Sequence, residues 1–321
     1  MFVVFRRTHG KERNRSRLLR LLPLALLALL VLPLNAWAQP AYEEPGAGSS
    51  VQQQLRGLRV DLGLSTDSNV TRSNLPAERL PDQVISIHLG RDKVVPLGSN
   101  SQMVLSGFAG LEQLLRFHGL GKTYIGAEAE FQYRRSEEFD APTFGINASA
   151  TAEEYRSGLR DGLRLSFGGN LRMAVTDRIH LFAAAARNFR SASSAVFSTS
   201  DSSLRFNLDY ALAPTQTLYL GGEYRRGDIL SAGLPSLANR DLAKVLAPDD
   251  AFAQVGYTSY RFAGRTVLFT AGLNLALGAK ESLDLSWRRV RSDPRRLPSV
   301  AVGGPAYYLT NQISLMYLKS F

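Results

Sequence analysis

The sequence predicts an all-β fold: a transmembrane antiparallel up-and-down β-barrel of about twelve strands, with fourteen as the alternative, spanning residues 54–321. Three observations carry this. Segment after segment alternates apolar and polar residues with period two, the signature of strands with one apolar face. The alternating segments run about 10–14 residues, the length a tilted membrane span needs and about twice that of a soluble strand. The last of them places Ile313, Leu315, Tyr317 and the terminal Phe321 on one parity.

The chain has 321 residues, no cysteine, and 38 Lys+Arg against 28 Asp+Glu. Without cysteine there is no disulfide framework and no thiol nucleophile. The formal charge of +10 suggests nucleic acid until it is located. Arg6, Arg7, Lys11, Arg13, Arg15, Arg17 and Arg20 precede the first apolar run, opposed by Glu12 alone. Setting these seven basic residues and one acidic residue aside leaves 31 against 27, a net of +4. The excess is targeting charge, and no nucleic-acid partner is expected. The basic start, the run Leu21–Leu32 and the triad Ala36-Trp37-Ala38 read as a cleaved secretory signal over 1–38. The apolar run is too short to span a bilayer as a helix. Residues 39–53, rich in Pro, Gly, Ser, Gln and Glu, read as a flexible lead-in.

The alternation is cleanest in four places. Ile125, Ala127, Ala129, Phe131 and Tyr133 oppose Gly126, Glu128, Glu130, Gln132 and Arg134. Leu163, Leu165, Phe167, Leu171 and Met173 oppose Arg164, Ser166, Gly168, Asn170 and Arg172. Leu204, Phe206, Leu208 and Tyr210 oppose Arg205, Asn207 and Asp209, and Val267–Leu275 repeats the pattern. Strands are expected near 54–65, 83–95, 102–116, 123–135, 143–156, 163–175, 179–190, 203–212, 217–227, 251–261, 266–277, 282–291 and 307–321. That is an odd number, whereas single-chain bacterial barrels have an even one. Phase is lost across Asp228–Asp250, so either that segment hides a strand or one span has been divided. Asp241–Leu246 is a candidate short helix. Connections around Gly98–Asn100, Thr176–Arg178, Pro214–Gln216 and Gly278–Glu281 are short and polar. Those around Thr66–Pro81, Ser191–Ser200, Asp228–Asp250 and Ser292–Pro305 are long. The outer-membrane compartment of a Gram-negative cell follows from such a barrel behind a secretion signal.

The polar parity supplies the candidate interior lining: Arg59, Asp61, Glu128, Glu130, Arg134, Glu153, Arg164, Arg172, Arg205, Asp209, Glu223, Arg225, Asp284 and Arg288. Mixed charge inside a barrel either shapes a watered channel or pairs across a filled interior. Both remain open. Tyr133, Tyr210, Tyr224, Tyr257, Trp287 and Tyr317 are expected to face outward as interface aromatics. Tyr317 and Phe321 belong to a terminal strand resembling the signal read by barrel-assembly machinery, with Lys319 departing from its apolar pattern. Assembly machinery, periplasmic chaperones, outer-membrane lipid and lipopolysaccharide are the expected partners.

No catalytic, cofactor or metal site is expected, and the chain reads as a non-enzyme. No H-E-x-x-H, phosphate loop or dinucleotide fingerprint occurs. Ser86 and His88 lie on one strand face, but on the inward parity rather than at a lipid-facing rim. Glu137-Glu138, Asp140 and Asp249-Asp250 lack calcium-loop spacing.

Leu62-Gly63-Leu64-Ser65-Thr66-Asp67-Ser68-Asn69-Val70-Thr71-Arg72, a strand ending in Asp-x-Asn with a nearby Arg, resembles the start of proteobacterial outer-membrane barrel families. These include the β-barrel porins found with exopolysaccharide-synthesis operons and the barrels of surface-lipoprotein assembly modifiers. The latter carry a helical-repeat domain, which has no counterpart in this sequence. The resemblance covers about ten residues and implies passage of hydrophilic solutes linked to polysaccharide export. The alternatives are a non-conducting scaffold and, third, a lipid hydrolase.

Overall fold

The computed structural model describes residues 57–299, 305 and 307–321; the expected signal and lead-in lie outside them. Twelve long strands form the wall: β1 (Leu58–Asp67), β2 (Asp82–Pro96), β3 (Ser101–Leu114), β4 (Lys122–Arg134), β5 (Thr143–Tyr155), β6 (Gly162–Ala174), β7 (Ile179–Ala192), β8 (Thr199–Ala213), β9 (Gln216–Gly233), β11 (Thr258–Gly278), β12 (Glu281–Pro294) and β13 (Tyr308–Ser320). Neighbours pair antiparallel, and β9 pairs with β11 from Gln216↔Leu275 to Gly233↔Thr258. β13 returns to β1 from Arg59↔Ser320 to Asp67↔Gln312, closing the barrel. The Phe321 backbone N–H donates to the Leu58 carbonyl at 2.9 Å, so the last residue sits at the seam.

The odd strand is resolved in two ways. Of the expected strand 251–261, residues 251–255 form a turn instead, and 258–261 run on through the expected 266–277 as one strand, β11, whose outer end projects beyond β12: the β11–β12 register stops at Gly264↔Pro294. The segment before it holds a helix, α1 (Leu237–Leu242), four residues N-terminal to its expected place, and a short strand, β10 (Val245–Pro248). β10 pairs with that projecting end, from Val245↔Arg261 to Pro248↔Thr258, so it belongs to the mouth and not to the wall. The phase failed because a loop element intervenes where the strands on either side overhang.

The pattern is inside-out relative to a soluble barrel. Ile146 is 70 % exposed and Leu64 52 %, while Glu130 is 2 % and Glu153 1 % exposed. An apolar exterior around a polar interior suits lipid outside and water within. On β11 the outward run from Val267 to Leu277 spans about 34 Å along the strand, or about 25 Å along the axis at the tilt such barrels adopt. No helix among the described residues is long and apolar enough to cross a membrane.

The loops at the outer mouth fold together. Phe252, in a 3-10 turn over Asp250–Val255, packs among Leu114, Phe117, Ala232, Ala251 and Tyr257, with its ring 5.1 Å from that of Phe117. Tyr257 is therefore buried in this cluster rather than facing lipid. Burying Phe252 contributes roughly 2 kcal/mol. Asp249 anchors the turn: the Arg160 guanidinium donates two hydrogen bonds to it, at 2.7 and 2.6 Å, and the Ser259 hydroxyl a third. Ser157 bonds the neighbouring Asp250. Arg160 also lies 4.1 Å over the Phe197 ring. A Cβ at Gly119 would stand 2.6 Å from the Ala251 Cα, so the cap approaches this closely only over glycine.

Candidate functional site

All fourteen sequence-selected residues lie on the face that carries the buried polar groups, in register from β1 to β12. Arg134 is the exception in environment: at the turn end of β4 it is exposed and donates to the Glu138 carbonyl at 2.7 Å. Nearest the short turns the interior is acid-rich. Asp61, Asp92, Glu128, Glu130, Asp209 and Asp284 are all buried there, with Arg59 and Arg172 between them. Arg59 binds Asp61 at 2.9 Å. Glu130 on β4 accepts from Arg172 and Asn170 on β6, each at 2.8 Å. This bond steps over the intervening strand β5, which Gly145 permits: a Cβ there would stand 2.3 Å from Glu130 Oε1. Tyr219 lies across Gly272 in the same way and donates to Asp284 at 2.9 Å.

Toward the loops the balance reverses. Arg164, Arg190, Arg205, Arg225, Arg288 and Lys122 face Glu112, Glu153, Asp201 and Glu223. Arg164 and Arg190 share Glu153, at 3.2 and 2.9 Å. Arg225 and Arg205 share Glu223, at 2.7 and 3.5 Å. Glu153 and Glu223 thus each meet two guanidinium groups, while Glu112 meets Lys122 at 3.0 Å. A cavity of about 550 Å³ is lined by Arg164, Arg190, Arg225 and Arg288 of this tier and is bordered by Val70 and Phe252 of the loops.

Sequence reasoning missed Arg160 and Asp249, 89 positions apart, because nothing local marks a pair made only by loop closure. It did single out Asp67–Arg72 without knowing its use. Asp67 accepts from the Asn69 backbone N–H, Thr310 and Gln312 at 2.7–2.8 Å and pairs with Arg72 at 2.8 Å. Asn69 in turn donates to the Ser73 and Leu309 carbonyls at 2.9 Å. The motif is a knot joining the first loop to β13, and Arg72 takes a left-handed φ of 54° within it. Ser86 and His88 both face inward. The His88 ring bonds the Tyr124 hydroxyl at 3.1 Å, and Ser86 lies against Gly63. Among the described residues no group of three or more His, Asp or Glu is placed to hold a metal.

A closed twelve-stranded wall, apolar outside and charged within, defines an outer-membrane β-barrel. No family model and no curated protein matches the chain. Among solved structures, the COG4313 outer membrane channel from Pseudomonas putida F1 superposes with a TM-score of 0.53 at 12% identity, covering 88% of this chain and 100% of that one. The KdgM porin in complex with disordered oligogalacturonate gives 0.44 at 10% identity, covering 82% and 99%. The transport unit of the autotransporter AIDA-I from Escherichia coli gives 0.44 at 10%, covering 93% and 97%. At such identities the likeness is one of fold.

Proposed function

We propose that this barrel is a porin-like channel for hydrophilic solutes, entered past a mouth narrowed by the 234–257 loop. The observation that carries this reading is the cavity of about 550 Å³ inside a closed wall, in whose lining arginines outnumber carboxylates. Such a chamber holds water and small anionic solutes at low desolvation cost. In planar bilayers the refolded protein should give discrete openings, with Arg160→Ala raising the open fraction as the Asp249 anchor is lost. Silence of both proteins would overturn the reading.

The finer assignment is to polysaccharide export, supported by the resemblance carried by Asp67–Arg72. It predicts that acidic oligosaccharide reduces single-channel current and that deleting the gene lowers surface polysaccharide. The second reading, a non-conducting scaffold, is favoured by the side chains that cross the interior, Tyr124, Phe108 and Tyr219 being almost wholly buried. The bilayer measurement separates the two.

A further inference from the structure

The outer surface carries a charge pattern that the channel does not use. On the outward face, Arg187 of β7 is paired across the ladder with Ser202 of β8, Ser202 with Arg226 of β9, Arg226 with Arg265 of β11, and Arg265 with Asp293 of β12. Arg226 and Arg265 are thus direct cross-strand partners of like charge, an arrangement that destabilises a sheet. Charge on the lipid face of a barrel is a second cost. Lys244 and Arg295, from the adjoining loops, border the same row, and the group encloses a surface cleft of about 690 Å³. Arg187 is held in it by donating to the Ser202 hydroxyl at 3.0 Å.

Two carboxylates offset part of the charge. Lys244 binds Asp228 at 2.7 Å, and Asp293 meets Arg291 at 3.1 Å and Arg265 at 3.8 Å. Six cations against two anions leave four in excess. Two phosphate monoesters carry about −3 to −4 together. The row also has a defined height. One step toward the turns, the outward residues on β7, β8, β9 and β11 are Ala185, Leu204, Tyr224 and Val267, so on these strands the row marks the outer edge of the apolar belt, where headgroups lie, while on β12 the charge continues toward the turn through Arg291 and Arg289. At the loop ends of β1 to β4 the outward positions are instead Thr66, Gln83, Gln113 and Thr123.

We propose that this row on β7–β12 binds the phosphates of a bisphosphorylated glycolipid of the outer leaflet. The full barrel, reconstituted in nanodiscs of zwitterionic lipid, is titrated with bisphosphorylated lipid A, its dephosphorylated form, and inorganic phosphate, and bound lipid is counted by native mass spectrometry. The wild type should hold the bisphosphorylated form at least tenfold more tightly than either alternative. Arg187→Gln/Arg226→Gln/Arg265→Gln should lose that preference. Arg91→Gln/Lys93→Gln, outward on β2 near the turn end, should keep it. If the triple variant misfolds, Arg226→Gln alone should lower affinity several-fold. Equal binding by wild type and the folded variant, equal loss in the β2 control, or equal binding of inorganic phosphate would each overturn the proposal.

Discussion

Arg225 and Arg226 are adjacent in β9 and live in opposite worlds. Arg225 points inward and binds Glu223 at 2.7 Å, within a network that also takes Arg205. Arg226 points outward, exposed, directly across from Arg265. The alternation of the strand separates them by one residue and the thickness of the wall. Inside, Arg164 and Arg190 share the buried Glu153 and Arg172 meets the buried Glu130, so the charges hold the interior together. Outside, guanidinium faces guanidinium at the lipid edge, which no fold requires. Identical side chains thus serve cohesion on one face and await an external anion on the other.

The comparison breaks first where an inside arginine is removed. Arg172→Ala leaves Glu130, 2 % exposed, with amide donors but no countercharge, and should cost about 3 kcal/mol. The check is the denaturant midpoint of the lipid-embedded barrel; an unchanged midpoint would mean that water and the amides of Asn170 and Gln132 suffice for the carboxylate. Next, Gly272→Leu puts a Cβ 2.2 Å from the Tyr219 ring. Displacing that ring from Asp284 should cost about 1–3 kcal/mol, read as earlier loss of the heat-resistant folded band. The outside arginine should behave with the other sign. In phosphate-free lipid, Arg226→Leu should stabilise by about 0–1 kcal/mol, whereas Arg225→Leu should destabilise. The smallest effect concerns the loops. The Ser299 backbone N–H and the Arg296 side chain hold the Asp241 carboxyl below its ordinary range. A carboxylate so depressed contributes its contact above its unfolded value and loses it as pH falls further. Hydrogen exchange of 237–242 should therefore be unchanged from pH 8 to 5 and quicken, after correction for intrinsic rate, below about pH 4.

The ladder of strands was legible because lipid and water impose one rule on every strand: apolar outward, polar inward, period two. Val267–Leu277 obeys it so strictly that its strand is unmistakable. Its outer extension, Thr258–Gly264, reads differently because there β11 leaves the belt and meets β10 and the cap instead of lipid. Tyr257 was misplaced for the same reason. An aromatic near a strand end looks like an interface residue until the loop folding onto it is known. The acid-rich and base-rich tiers were half visible. The residues were there to name, but their heights follow from strand ends that sequence places only to within a few positions.

By itself the sequence determined the class of fold, the approximate strands, and which side chains share the inner face, since all three depend on local alternation and on the solvent each face meets. Tertiary structure alone decided that the wall has the twelve strands the sequence favoured and not the fourteen it allowed, that Arg160 and Asp249 clamp the mouth, and that Arg187, Arg226 and Arg265 form one row. These depend on register between strands far apart in the chain. Register is set by closure of the whole barrel, and no single segment carries it.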